Sequence, residues 1–331
     1  MNHTAATPGR DSNRPGTATS RPASYAGYFY IAAACLFWGI SASLGRAAFT
    51  DRFPGSGIAQ LSPVILSQAR TTFSFLAVLI ALAATRGLRP LCLPRADLGR
   101  MFLLGIGGVA LSNYFYYLAI QRTNVATAIV VQYTAPIWVL LYTLVRRREK
   151  PAPGKLLSVL LALAGIALVI GIFGHVRLHL DSLGVMAALI AAFSFAYYNI
   201  FGHSILARYE RWTVLLYTTM SASIFWIVVN PPTAIRSADY SPMAWWFLLL
   251  FAVVSVLVPF AFYFAGLEHL EPTKAIVASC LEPVFSILIA ALALGEKISP
   301  LQGLGMAMVL TAIVAVQRSP GASETVIEPI E

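Results

Sequence analysis

One acid stands deep inside an otherwise apolar stretch of this chain: Glu282, the residue before Pro283. The other acids fall in tails, turns or the ends of apolar runs. A charged group in hydrocarbon costs roughly 2.5–3.5 kcal/mol on insertion scales, and less when it is neutralised or faces a wet cavity. Glu282 therefore has two readings. It is a proton site or a contact for a solute amine, or it is a neutral acid bonded to backbone beside the Pro283 kink. Arg70 is the basic counterpart, seven residues past Pro63 and so about 10 Å below the end of its run. It either snorkels outward as a structural anchor or meets an anionic solute group in an outer vestibule. Pro136 and Pro283 each remove a backbone donor and free a carbonyl one turn earlier. That makes them hinges lining a path, or static kinks. Gln132 and Ser279 precede these prolines by one turn, and Ser279 shares a face with Glu282 by i,i+3 spacing. This face looks into a cavity or ties helices together.

Aromatic and amide side chains cluster in the same runs. Trp38 and Ser41 lie in the first, and Asn113 and Tyr117 in the third. Tyr197, Tyr198 and Asn199 lie in the sixth, and Tyr263 in the eighth. Rings with hydrogen-bonding tips suit a pocket for an aromatic or amphipathic solute. Taken singly, each also suits an interfacial belt or plain packing.

These residues need elements to position them. Apolar residues make up 58% of the 331 residues and charged ones 11%, against about 25% charge in a soluble domain. Ten apolar runs are expected as membrane spans, at 27–49, 61–85, 98–120, 125–145, 156–174, 182–201, 213–230, 243–267, 273–294 and 301–316. Runs near 20 residues match a hydrocarbon core of about 30 Å. They are continuously apolar rather than alternating, so they are helices rather than barrel strands. The fold class is an all-α polytopic membrane protein, with the lipid bilayer as its surroundings. The net charge of +9 does not point to nucleic acid, because the basic residues sit in short turns. Cys35, Cys92 and Cys280 lack metal-ligand spacing and read as packing residues. No metal or cofactor is implied. Gly105, Gly107 and Gly108 read as sites of close helix contact, since no strand precedes them and no Lys-Ser/Thr follows. No nucleophile–base pair or His-Glu-x-x-His pattern occurs within the spans, which speaks against an intramembrane enzyme.

The chain also contains a copy of itself. Residues 116–166 recur, without a gap, as 263–313, 147 residues later. Pro136 recurs as Pro283, Glu149 and Lys150 as Glu296 and Lys297, and Ile166 as Ile313. Lys and Arg divide sixteen to six between alternate connecting segments, which places both termini in the cytoplasm. Five spans per copy is an odd number, so the second copy enters the membrane from the opposite side. Two inverted five-helix repeats, 25–175 and 180–317, are expected around a central cavity, between disordered cytoplasmic tails 1–24 and 318–331. Such halves form a solute site near the midplane.

The ten spans and the five-plus-five repeat resemble the EamA-type drug/metabolite transporter superfamily. So do Leu281, Glu282 and Pro283 followed by Gly295, Glu296 and Lys297. Tyr133 to Pro136, Phe37-Trp38-Gly39 and Arg70 also fit. The resemblance covers residues 27–317. It implies a bacterial inner-membrane permease for a small-molecule solute, with export of amino acids, metabolites or drugs as the family theme. It implies that spans 1, 3, 4, 6, 8 and 9 surround the cavity. A branch handling sugar-linked or phosphorylated solutes would want basic residues deep in the later spans, which are missing here. A homodimer stays open.

Overall fold

The computed structural model describes residues 25–49, 61–86, 93–123, 125–147, 153–171, 181–233, 240–294 and 297–319. The expected tails, apart from Arg318 and Ser319, lie outside these, as do Cys92, Glu149, Lys150, Gly295 and Glu296. Among the described residues, ten helical rods are long and apolar enough to cross a membrane. They are α1 (Tyr25–Phe49), α2 (Pro63–Arg86), α3 (Arg95–Arg122), α4 (Val125–Gln132 and Ala135–Arg147), α5 (Pro153–Ile170), α6 (Ser182–Leu206), α7 (Arg211–Val229), α8 (Pro242–Leu267), α9 (Pro272–Ala278 and Leu281–Leu294) and α10 (Pro300–Arg318). Large apolar side chains such as Ile80, Leu160, Trp246 and Leu310 point outward, as lipid-facing residues do.

Two boundaries move from the expected ones for local reasons. The fifth helix stops at Ile170, not 174, because Gly171 turns left-handed (φ 82°). Its N–H closes on the Leu168 carbonyl at 3.0 Å, a termination that favours glycine. The sixth helix continues past 201 to Leu206, because nothing there breaks it before the polar turn at Arg208.

The internal copy is written into the irregularities of the helices. α3 widens into a π-helical turn at Leu104–Ala110 and α8 at Val253–Leu257. In the first, Leu111 N–H bonds the Ile106 carbonyl; in the second, Val258 N–H bonds the Val253 carbonyl. Both donors and both acceptors are one repeat apart. α4 breaks at Tyr133 and Thr134 and α9 at Ser279 and Cys280, each just ahead of its proline.

Packing follows the same symmetry. α3 lies along α6 as α8 lies along α1. The second segment of α4 meets α6 as the second segment of α9 meets α1, and α2 pairs with α7 and α5 with α10. Exchanging the two halves maps this contact pattern onto itself. Five rods per half then require the exchange axis to lie in the membrane plane. The α5–α10 seam is held close by glycine: a Cβ on Gly305 would sit 2.6 Å from the Gly165 carbonyl oxygen. Gly105 does the same for α3 against Thr218 of α7. These are small-residue contacts of the kind that drive helix association in lipid.

α1 begins at one end of the bundle, which we term the N-face. An even number of spans returns Arg318 to that face.

Candidate functional site

A cavity of about 80 Å³ lies between the two halves. Trp38, Ser41, Asn113, Tyr117, Gln132 and Glu282 line it, as the sequence suggested, and Arg70 lines it too. Ser112, Tyr116, Ile120, Tyr133, Phe195 and Phe260 complete the polar and aromatic wall. Chain order puts Phe195 near the middle of α6, Phe260 between the middle of α8 and its N-face end, and Ile120 close to the far end of α3. The cavity therefore runs from mid-bundle toward the face opposite the N-face.

Helix breaks build its two charged corners. Pro283 has no N–H, so the Ser279 carbonyl loses its ordinary helical partner one turn on. That carbonyl accepts from the Glu282 N–H at 3.0 Å and also from the Tyr133 hydroxyl at 3.3 Å and the Cys35 thiol at 3.5 Å. The Tyr133 hydroxyl also meets Glu282 Oε2 at 2.7 Å. A tyrosine at the break of α4 thus touches both the freed carbonyl and the carboxylate at the break of α9. Glu282 is partly exposed to the cavity, not sealed among apolar side chains.

Arg70 occupies the second corner. It does not snorkel outward: it is 3% exposed, within the wall of the cavity. Pro259 supplies part of the reason. Its missing N–H frees the Ser255 carbonyl inside the π-helical turn of α8, and Arg70 Nη2 donates to that carbonyl at 2.9 Å. Nη1 donates to the Tyr117 hydroxyl at 2.5 Å. The guanidinium stacks between the Tyr117 and Phe251 rings, 5.1 and 5.3 Å from their centroids, which adds cation–π attraction.

The remaining predicted site residues sit elsewhere. Asn199 and Tyr263 are fully buried behind Trp38; Tyr263 donates to Asn199 Oδ1 at 2.6 Å, and Asn199 Nδ2 to the Phe195 carbonyl at 2.8 Å. Trp38 rests on this layer, 5.1 Å from the Tyr263 ring. Tyr198 is buried against Phe260 and Phe264. These residues brace the wall and do not line it. The Ser279 hydroxyl turns back to the Ile276 carbonyl, so Ser279 contributes its backbone. Tyr197 lines a separate recess near the N-face with Asp97, Arg100, Arg208 and Tyr209. Tyr133, Phe195 and Phe260 were not singled out as cavity residues from sequence. The signal for Tyr133 and Phe260 was proximity to a helix-breaking proline.

The ion pairs among the described residues lie on the N-face. Lys155 of the first half meets Glu271 of the second at 2.9 Å. Asp97 of the first half accepts from the Tyr209 hydroxyl of the second. That bond holds Tyr209 above the ordinary tyrosine value of 10.0, so the phenol stays a neutral donor at physiological pH. On the opposite face, Gln68 and Asn230 join α2 to α7 by neutral hydrogen bonds of 2.7 and 3.0 Å.

The description of the EamA-like transporter family matches residues 25–171 and again 182–317. The chain belongs to the EamA-like transporter family. The two matches coincide with the two pseudo-symmetric halves. Relatives of this EamA protein include a Salmonella typhimurium protein named uncharacterized inner membrane transporter YicL, 24% identical over 67% of this chain and 74% of its own length. An uncharacterized transporter of Archaeoglobus fulgidus is 25% identical over 88% of this chain and 98% of its own. The threonine/homoserine exporter RhtA of Escherichia coli K12 is 26% identical over 63% of this chain and 67% of its own. A crystal structure with 20% identity superposes with a TM-score of 0.67, over 88% of this chain and 96% of that one, which supports the fold. This EamA protein is a multi-pass membrane transporter.

Proposed function

We propose that this EamA transporter exports a small, partly apolar solute of the amino-acid class by alternating access, with Glu282 as the proton-carrying group. The reading rests chiefly on one observation: the Glu282 carboxylate and the Tyr133 hydroxyl meet across the two halves, at both helix breaks, inside the central cavity. A group at that junction feels any change in how the halves sit. Protonation and rocking are thereby linked through one hydrogen bond. Pro136 and Pro283 follow the breaks and act as the hinges.

The cavity is too small for such a solute as it stands, since sites for small molecules occupy roughly 300–1,000 Å³. It must widen to load. Its direction and the ion-paired N-face describe a conformer closed on one side. The Lys and Arg bias supports a cytoplasmic N-face in a bacterial inner membrane, and in that orientation the cavity leads outward. The names of the RhtA relatives support amino-acid export.

A second reading, a phosphorylated or sugar-linked solute, draws support from Arg70 in the wall. Glu282 in the same wall would repel a dianion, and we rank it second. The test is flux in proteoliposomes across an amino-acid, amine and sugar-phosphate panel, with and without a pH gradient. Wild type is expected to respond to the gradient and Glu282→Gln to lose that response. An unaltered pH dependence in the variant removes Glu282 from the coupling.

A further inference from the structure

We infer that Arg70 receives the carboxylate of a zwitterionic solute whose ammonium group is taken by Glu282. The assignment deepens the transport reading and rests on it for the solute's passage.

Arg70 is a charge without a countercharge in contact. Among the described residues no carboxylate lies within ion-pair distance of it. Two of its nitrogens are held by neutral acceptors, the Tyr117 hydroxyl and the Ser255 carbonyl. The third, Nε, is buried without a hydrogen-bond partner. An unpaired buried donor on a charged group is costly, and more so at membrane depth. A buried donor of this kind calls for a partner, and the adjoining cavity offers room for one that a solute brings. A guanidinium is suited to a carboxylate, because its planar donors match two oxygens at once.

Glu282 is the acid in the same wall. Its Oε2 is engaged by Tyr133, a neutral donor. No ion pair joins it to Arg70 among the described residues. One cation and one anion, both held by neutral partners around one cavity, are complementary to a solute carrying the opposite two charges. A free amino acid has that pattern. An amine alone leaves Arg70 unanswered, and a phosphate monoester brings excess negative charge to Glu282. Trp38 and Phe260 then offer apolar surface to the side chain, consistent with the aromatic wall setting size rather than charge.

The test is ligand-induced thermal stabilisation of the purified full-length protein, titrated with threonine and phenylalanine and with their methyl esters, which lack the carboxylate. Wild type is expected to bind each acid at least about tenfold more tightly than its ester, the scale of one charge-assisted contact. Arg70→Gln is expected to erase that preference, and Arg70→Lys, which keeps charge without the planar fork, to weaken it. An equal preference in wild type and Arg70→Gln overturns the assignment. Should Arg70→Gln fail to fold, an undiminished preference in Arg70→Lys does the same. If wild type binds no amino acid, the assignment falls while transport of another solute stands. If it binds with the expected preference yet moves nothing in liposomes, the assignment holds and the transport reading falls.

Discussion

At the scale of single residues, the proposed function concentrates in groups whose partners come from the other half of the chain. Tyr133 is the clearest. It bridges Glu282 and the Ser279 carbonyl from across the interface, and its ring belongs to the buried apolar cluster that also holds Val277 and Val284. Tyr133→Phe keeps the ring and removes the hydroxyl. A hydrogen bond to a carboxylate contributes about 1.5–3 kcal/mol, so flux is expected to fall roughly tenfold or more while the fold persists. Flux measured beside thermal stability separates the two effects; undiminished flux would deny Tyr133 its part in coupling. Glu282 and Arg70 were legible in the sequence because buried charge is rare and conspicuous. Tyr133 was not, because one tyrosine among fourteen carries no mark of which helix break will receive it. Tyr198, Asn199 and Tyr263 misled for the same reason: a ring with a polar tip looks alike whether it faces a cavity or satisfies a neighbour one layer behind.

At the scale of elements, prolines and π-helical turns decide where carbonyls become available. Pro259 frees the Ser255 carbonyl for Arg70 and Pro283 frees the Ser279 carbonyl for Tyr133. The two charged corners are therefore made by the same device. Pro259→Ala returns an N–H to α8. The restored helical bond is worth about 1 kcal/mol and competes with Arg70 for its acceptor. We expect a melting temperature equal to or above wild type together with severalfold weaker flux, read by thermal unfolding and by liposome assay. Flux equal to wild type would show that Arg70 does not depend on this carbonyl. Helix number and the positions of the breaks followed from apolar runs and prolines. The π-helical turns did not, because Leu104–Ala110 contains no proline and its three glycines read as a close helix contact rather than as a change of helical pitch. Its symmetry with Val253–Leu257 emerges only when both helices are laid side by side.

At the scale of the whole molecule, two inverted halves share one cavity, and one face of the bundle is fastened by charge. Lys155 with Glu271, and Asp97 with Tyr209, each join one half to the other on the N-face, while the cavity leads away from it. The repeat and the odd number of spans made this inversion readable from sequence. The fastening did not show, because Asp97 and Tyr209 are 112 residues apart and their pairing depends on how α3 meets the α6–α7 turn. A solute that enters or leaves through the N-face requires these contacts to part in every cycle. The most direct test replaces Lys155 and Glu271 with cysteine in a Cys92→Ser background, Cys35 and Cys280 being buried. The pair is then bridged with a short reducible cross-linker in proteoliposomes. The account predicts that flux stops on bridging and returns on reduction; full flux through the bridged protein would contradict it.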